Sequence, residues 1–244
     1  MTQDEKCVLD EKYGGDANAK GFEEDCVRLA LGEPVAYVIG YQPFLGLKIY
    51  LDSRPLIPRT ETEWWTEQLL THVGTYDVPT FLDLCAGSGA IGCAALKMLP
   101  DAEVYFGEID LKHKKTILKN IRENNLDASR AHIKIGDLFE PFFDLKFDVI
   151  TINPPYIPAE RALPDSVANY EPSLALRSGS DGMDLIRRIA TELPKHLNNR
   201  GVAWIECDSA RAVTARALFT SKRFKTEIRC DQFNIQRVLV VSFN

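Results

Sequence analysis

Four short apolar runs, each ending near a single acid or amide, alternate with helical stretches through the middle of this chain. They are residues 80–85, 103–106, 131–135 and 147–152, and their polar markers are Asp83, Glu108, Asp137 and Asn153. Strands separated by helices build a sheet with helices on both faces. An α/β fold with a doubly wound sheet is therefore expected. In such a sheet, ligands bind at the carboxyl ends of the strands.

The fourth run delivers the stiffest turn in the sequence, Asn153-Pro154-Pro155-Tyr156. Two successive prolines fix φ and remove two N–H donors. Pro154 also restricts Asn153 to extended geometry. The turn presents one amide side chain, several unpaired carbonyls and one aromatic ring. That set suits a planar group bearing NH2: Asn153 Oδ1 and the carbonyls accept its hydrogens, and Tyr156 covers its face. A plain strand-to-loop turn has the same composition, so the rest of the chain must decide.

Directly after residues 80–85 comes Ala86-Gly87-Ser88-Gly89, then an apolar helix over 90–99. Strand, glycine loop and helix in that order make a turn that cradles a ligand. Gly87 and Gly89 let backbone approach closely, whereas Cys85 stands where a fuller loop has its first glycine. An acid about 20 residues past such a loop is placed to grip a ribose diol. Glu108 meets that spacing. Asp110 reads better as a helix-start acid favoured by the macrodipole. Asp83, Glu108 and Asp137 at three successive strand ends beside one glycine loop are more specific than any of them alone. His113 and His132 have no evident partner.

The flanks are less informative. Residues 1–33 read as a short helical region, with Phe22, Cys26, Leu29 and Ala30 at helical spacing. Residues 34–76 read as a hairpin and linker helix, with strands over 35–39 and 47–51. Thr60 and Glu63 form a capping-box pattern opening the helix, and Arg59 stands just before it. Residues 77–244 form the main domain. A long loop from Tyr156 to about residue 181 reads as a lid. A helix over 183–196, a strand over 202–206, a helix over 210–221 and two antiparallel strands close the chain.

Composition narrows the class. The 244 residues are 45% hydrophobic and 26% charged, which is a globular balance. The net charge of −6 argues against a broad non-specific nucleic-acid surface. The six cysteines are scattered without CxxC spacing, so neither zinc nor a disulfide framework is expected. The polar start reads as neither signal nor transit peptide, and no apolar run reaches the ~18 residues of a membrane span. A cytoplasmic protein is expected.

Asp83-Leu84-Cys85-Ala86-Gly87-Ser88-Gly89 with Asn153-Pro154-Pro155-Tyr156 resembles the class I S-adenosylmethionine-dependent methyltransferases that act on exocyclic or amide nitrogens. Residues 34–47, residues 57–63 and the stretch Tyr170-Glu171-Pro172 through Gly182 resemble, more narrowly, the release factor glutamine methyltransferases. The resemblance covers roughly residues 33–240. It implies a seven-stranded Rossmann-like sheet and S-adenosyl-L-methionine as cofactor. The substrate would be the N5 amide of the glutamine in the Gly-Gly-Gln motif of a peptide chain release factor. By position, Asp83, Cys85, Ala86, Gly87 and Gly89 would hold the methionine part, Glu108 the ribose, and Asp137 with Leu138 the adenine. Asn153 would border the cofactor too. Asn153, Pro154, Pro155, Tyr156 and Arg59 would take the substrate, with Asn153, Pro154 and Tyr156 closest to the reaction. A monomer with no metal, no membrane and no direct nucleic-acid contact is expected. The chain departs from the family pattern at Cys85, in its short amino-terminal region, and after Glu206, a stretch expected to lie far from the methyl-transfer motifs.

Two rivals follow from the same residues. An adenine-N6 or guanine-N2 nucleic-acid methyltransferase uses a similar turn on a flipped base. A non-catalytic binding module would treat Cys85 as the mark of a degraded loop.

Overall fold

The computed structural model describes residues 1–222 and 224–243. The chain begins with three helices, α1 (Gln3–Tyr13), α2 (Phe22–Ala30) and α3 (Val35–Ile39). Val8, Leu9, Phe22 and Val38 form their shared small core. A charged network closes over it: Asp25 accepts from Lys12 and Tyr13, and Arg28 bridges Asp25 and Glu33. The hairpin β1 (Tyr41–Phe44) and β2 (Leu47–Tyr50) follows, then α4 (Thr60–Val73).

Two expectations about this region fail. Residues 35–39 form helix, not strand, and the hairpin begins only at Tyr41. Pro34 starts the helix, its carbonyl accepting from Tyr37 and Val38, and Gly40 ends it at φ 98°. Ala36, Tyr37 and Val38 are buried, so tertiary packing overrides the β preference of a Val-Tyr-Val-Ile composition. The capping box is absent as well. Arg59 is the N-cap residue and makes no side-chain cap bond. Glu63 turns away to accept from the Leu45 backbone N–H at 2.6 Å, pinning the hairpin turn to α4.

The remaining strands are β3 (Thr80–Leu84), β4 (Glu103–Glu108), β5 (Ala131–Ile135), β6 (Phe147–Ile152), β7 (Leu197–Glu206), β8 (Phe224–Cys230) and β9 (Gln236–Phe243). Between them lie α5 (Ala90–Met98), α6 (His113–Glu123), α7 (Asp165–Ala168), α8 (Asp184–His196) and α9 (Ala212–Thr220). The strands form one seven-stranded sheet in the order β5-β4-β3-β6-β7-β9-β8. Pairing is parallel from β5 through β7 and antiparallel on both sides of β9. Apolar cores cover both faces. One contains Trp65, Phe81, Ala94, Phe106 and Ile117; the other contains Leu82, Phe147, Ile150, Ile186 and Phe219.

This topology fixes where a ligand can sit. From β3 the chain steps outward to β4 and β5, then returns to place β6 on the other side of β3. The crossovers diverge there and leave a crevice beyond the carboxyl ends. The Cys85–Gly89 loop follows β3 and the Asn153 turn follows β6, so the order of strands puts them side by side.

Candidate active site

A cavity of about 250 Å³ opens at that crevice. Of the residues expected to bind, Cys85, Gly87, Glu108, Asp137, Leu138, Asn153 and Pro155 line it. Asp83, Ala86, Gly89, Pro154, Tyr156 and Arg59 lie behind or beside it. Its walls also include Leu56, His113, Leu174, Arg177 and Arg188, none of which carried a recognisable sequence signal.

The floor is set by strand ends. Glu108 accepts from the Gly87 N–H at 2.7 Å and from the Asp110 N–H at 2.8 Å. Burial holds its carboxyl above the usual range, with the backbone donors opposing. Gly87, at φ 56°, brings its N–H within reach of this acid; a Cβ there would meet only Pro55, at 3.9 Å, so the loop leaves open space toward the ligand side. Asp137 is paired with Arg188 of α8 at 2.9 Å. Asp83 lies one layer deeper. One of its oxygens accepts from the Gly92 N–H at 2.9 Å, tying β3 to the first turn of α5. The other has no hydrogen-bond partner among the described residues, and burial, with Glu108 nearby, pushes the carboxyl up to about 8.

Cys85 occupies the left-handed region at φ 62°, where a side chain is strained and glycine is not. Burial raises its thiol well above the ordinary value, so it remains neutral. Both histidines have partners after all. His113 Nδ1 lies 2.7 Å from Ser53 Oγ, and burial lowers its pKa to about 4. His132 stacks on Tyr105 and meets Glu103 at 2.5 Å. Neither contact is visible in sequence because both partners are remote along the chain.

The Asn153 turn is held from behind by a single acid. Glu206, at the end of β7 and 2% exposed, accepts from the Tyr156 hydroxyl at 2.9 Å on one oxygen. Its other oxygen accepts from the Thr62 hydroxyl at 2.7 Å and the Trp65 indole N–H at 2.8 Å. Thr62 Oγ1 in turn receives the Asn153 amide NH2 at 3.3 Å. Burial, reinforced by the Glu206 charge, raises the Tyr156 phenol well above its usual value and keeps it a donor. Glu206, to which the sequence assigned no role, thus meets the turn, just ahead of the segment after it that was expected to lie far away. β6 and β7 are adjacent parallel strands in register at Ile152 and Ile205, so their next residues meet.

The long loop after Tyr156 is a folded strap. Ile157 bridges to Arg177, and Arg177 donates to the carbonyls of Pro158, Ala159 and Arg161. Arg161 pairs with Asp208 at 2.5 Å. Glu171 accepts from Arg59 at 2.5 Å and from the Ile57 N–H at 3.1 Å. Arg59 therefore faces the strap and is not part of the cavity lining.

An acid on the floor, a glycine turn with open space and apolar walls from Leu138, Leu174 and Leu56 match the needs of a ligand with a diol and a planar base. No helix among the described residues is long and apolar enough to cross a membrane. No metal-holding group of His, Cys, Asp and Glu occurs among them.

The chain has relatives among known proteins. Residues 60–169 match the methyltransferase small domain model. Over 211 residues the chain is 36% identical to the release factor glutamine methyltransferase of Geobacter sulfurreducens, covering 86% of this chain and 71% of that one. It is 34% identical to the ribosomal protein uL3 glutamine methyltransferase of Bradyrhizobium diazoefficiens, covering 78% and 62%. A methyltransferase of Pyrococcus furiosus shares the fold, with TM-score 0.59 at 14% identity, covering 90% and 97% of the two chains. The nucleic-acid alternative is not favoured by these relatives. The extent and identity of the match place the chain in the release factor glutamine methyltransferase family.

Proposed function

We propose that this enzyme transfers a methyl group from S-adenosyl-L-methionine to the side-chain amide nitrogen of the glutamine in the Gly-Gly-Gln motif of a peptide chain release factor, acting in the cytoplasm. The observation that carries the reading is the Asn153 turn: Asn153 and the rigid Pro155 line a cavity that Glu108 also lines. The relatives' names support the substrate class.

When bound, the cofactor supplies an activated, electrophilic methyl. Glu108 would take its ribose hydroxyls, and the 85–89 loop its methionine part. Asp137 and Leu138 would flank the adenine, with Arg188 fixing the Asp137 carboxylate. An amide nitrogen is a poor nucleophile, because its lone pair is delocalised. The protein answers by placement, which in well-oriented systems supplies roughly 7–11 kcal/mol. Asn153 Oδ1 and the Pro154 carbonyl accept from the substrate NH2 and stabilise positive charge as it grows on nitrogen. Tyr156, beside the cavity, would lie against the amide. No side chain here serves as a base strong enough to deprotonate an amide, so the proton departs after transfer, to water.

The test is methyl transfer from labelled cofactor to a release factor carrying Gly-Gly-Gln and to its Gln→Ala variant. Label on the first alone is expected. Equal label on both would place the methyl elsewhere and overturn the proposal.

A further inference from the structure

Resting on that reading, we infer that Thr62, held by Glu206, sets Asn153 as a hydrogen-bond acceptor and so selects a substrate amide over a carboxylate. The two ends of an Asn side chain are nearly alike in shape, and only partners distinguish them. Glu206 acts only as an acceptor in these three contacts. Trp65 Nε1 is donor-only and lies 2.8 Å from the same carboxylate oxygen that Thr62 Oγ1 meets at 2.7 Å. The Tyr156 hydroxyl donates to the other oxygen at 2.9 Å. The single Thr62 proton is therefore committed to Glu206. What Thr62 has left are its lone pairs, and one of them receives the Asn153 Nδ2 hydrogen at 3.3 Å between heavy atoms.

The consequence is directional. With Nδ2 turned to Thr62, Oδ1 is the end presented to the cavity that Asn153 lines. Beside it the Pro154 carbonyl is another acceptor, and no proline in the turn carries an N–H. The turn itself then presents acceptors, while Arg177 and Arg188 on the same cavity wall are engaged by strap carbonyls and by Asp137. A glutamine NH2 satisfies the acceptors of the turn, whereas a glutamate carboxylate brings two acceptors against two acceptors. If Asn153 were free to turn over, its NH2 would face the substrate and would welcome the carboxylate instead. A buried polar group without a partner costs about 1–3 kcal/mol, so the wrong choice is penalised.

The relay also has a fixed frame. Thr62 and Trp65 sit on one face of α4, and the Thr66 hydroxyl donates to the Thr62 carbonyl at 2.6 Å. Trp65 stacks on Trp204 of β7, with ring centroids 6.3 Å apart. Thr62 is 4% exposed, so water does not compete for its hydroxyl. Thr62 touches neither substrate nor cofactor; it is a positioning residue.

The test compares wild type, Thr62→Val and Thr62→Ser with Gly-Gly-Gln and Gly-Gly-Glu forms of the release factor. Thr62→Val should lower kcat/KM for the glutamine form roughly tenfold, the loss of about one hydrogen bond. It should leave cofactor Kd unchanged and make the Gly-Gly-Glu form a relatively stronger inhibitor. Thr62→Ser should restore both. A merely structural Thr62 would lower Tm but leave the ratio of Gly-Gly-Glu inhibition to Gly-Gly-Gln turnover unmoved, and that result would overturn the inference. Wild-type inactivity on the release factor would count against the substrate assignment alone. The relay is then read by hydrogen exchange of the Asn153 side-chain NH2. Slow exchange that becomes fast in Thr62→Val supports it, and exchange equally fast in both refutes it.

Discussion

Arg59 donates to Glu171 at 2.5 Å across 112 residues of chain, joining the start of α4 to the strap that lines part of the cavity. The Glu171 side chain is 1% exposed and also accepts from the Ile57 N–H. Removing Arg59 strands a buried carboxylate. Removing Glu171 strands a guanidinium that is one-third exposed and a buried N–H. Breaking a buried pair from one side costs about 3–5 kcal/mol, less where water reaches one partner. We expect Arg59→Ala and Glu171→Ala each to cost about 2–3 kcal/mol in urea unfolding. The double variant should cost well under their sum. Strict additivity would show that the pair is not coupled.

Asp83 gives the enzyme a pH signature. Its folded pKa, pushed up to about 8 by burial, lies above its unfolded value. The folded state therefore binds the proton more tightly. The stability it carries is complete below about pH 4 and is lost as pH rises through 8. Wild type should lose Tm between pH 6 and 9 more steeply than Asp83→Asn, which has no proton to lose. Parallel Tm profiles would mean that Asp83 does not hold its proton in the folded state.

How much of this was legible in advance depends on range. The sheet, the glycine loop, Glu108 and the Asn153 turn were readable because each is a local pattern of strand, turn and spacing. The helix at Val35–Ile39 was not, since its residues favour strand and only burial of Ala36, Tyr37 and Val38 decides the matter. Arg59 was expected to take substrate through the family resemblance, and its partner Glu171 could not be read because it sits on another segment. Glu206 illustrates the same limit. It had no assigned role in the sequence, yet adjacent strands bring it to Tyr156, Thr62 and Trp65. Arg188 and His113 reach the cavity from α8 and α6, and nothing in their own surroundings marks them.

Cys85 stores strain at a position where the backbone asks for glycine. At φ 62° a residue with a Cβ pays about 1–2 kcal/mol relative to one without. Glycine gives part of that back through a freer unfolded chain. The clean comparison is Cys85→Gly against Cys85→Ala, since both delete the thiol and only alanine keeps the Cβ. Denaturant unfolding should find the glycine variant more stable by about 1 kcal/mol. Alanine equal to or better than glycine would show that the loop is relaxed as it stands.

Asn153 should separate chemistry from cofactor binding. Its amide lines the cavity, but the floor that would hold the ribose is Glu108, anchored independently by the Gly87 and Asp110 N–H groups. Removing the side chain deletes one acceptor aimed at the reacting nitrogen. Loss of one preorganised group of that kind costs roughly 10²–10³-fold in rate. Asn153→Ala is therefore expected to cut kcat on the release factor by about that factor. Cofactor Kd, measured by calorimetry, should move less than about threefold, because none of the Glu108 contacts depends on Asn153. A collapse of cofactor affinity in this variant would assign Asn153 to the cofactor, and the role of substrate acceptor would pass to the Pro154 carbonyl alone.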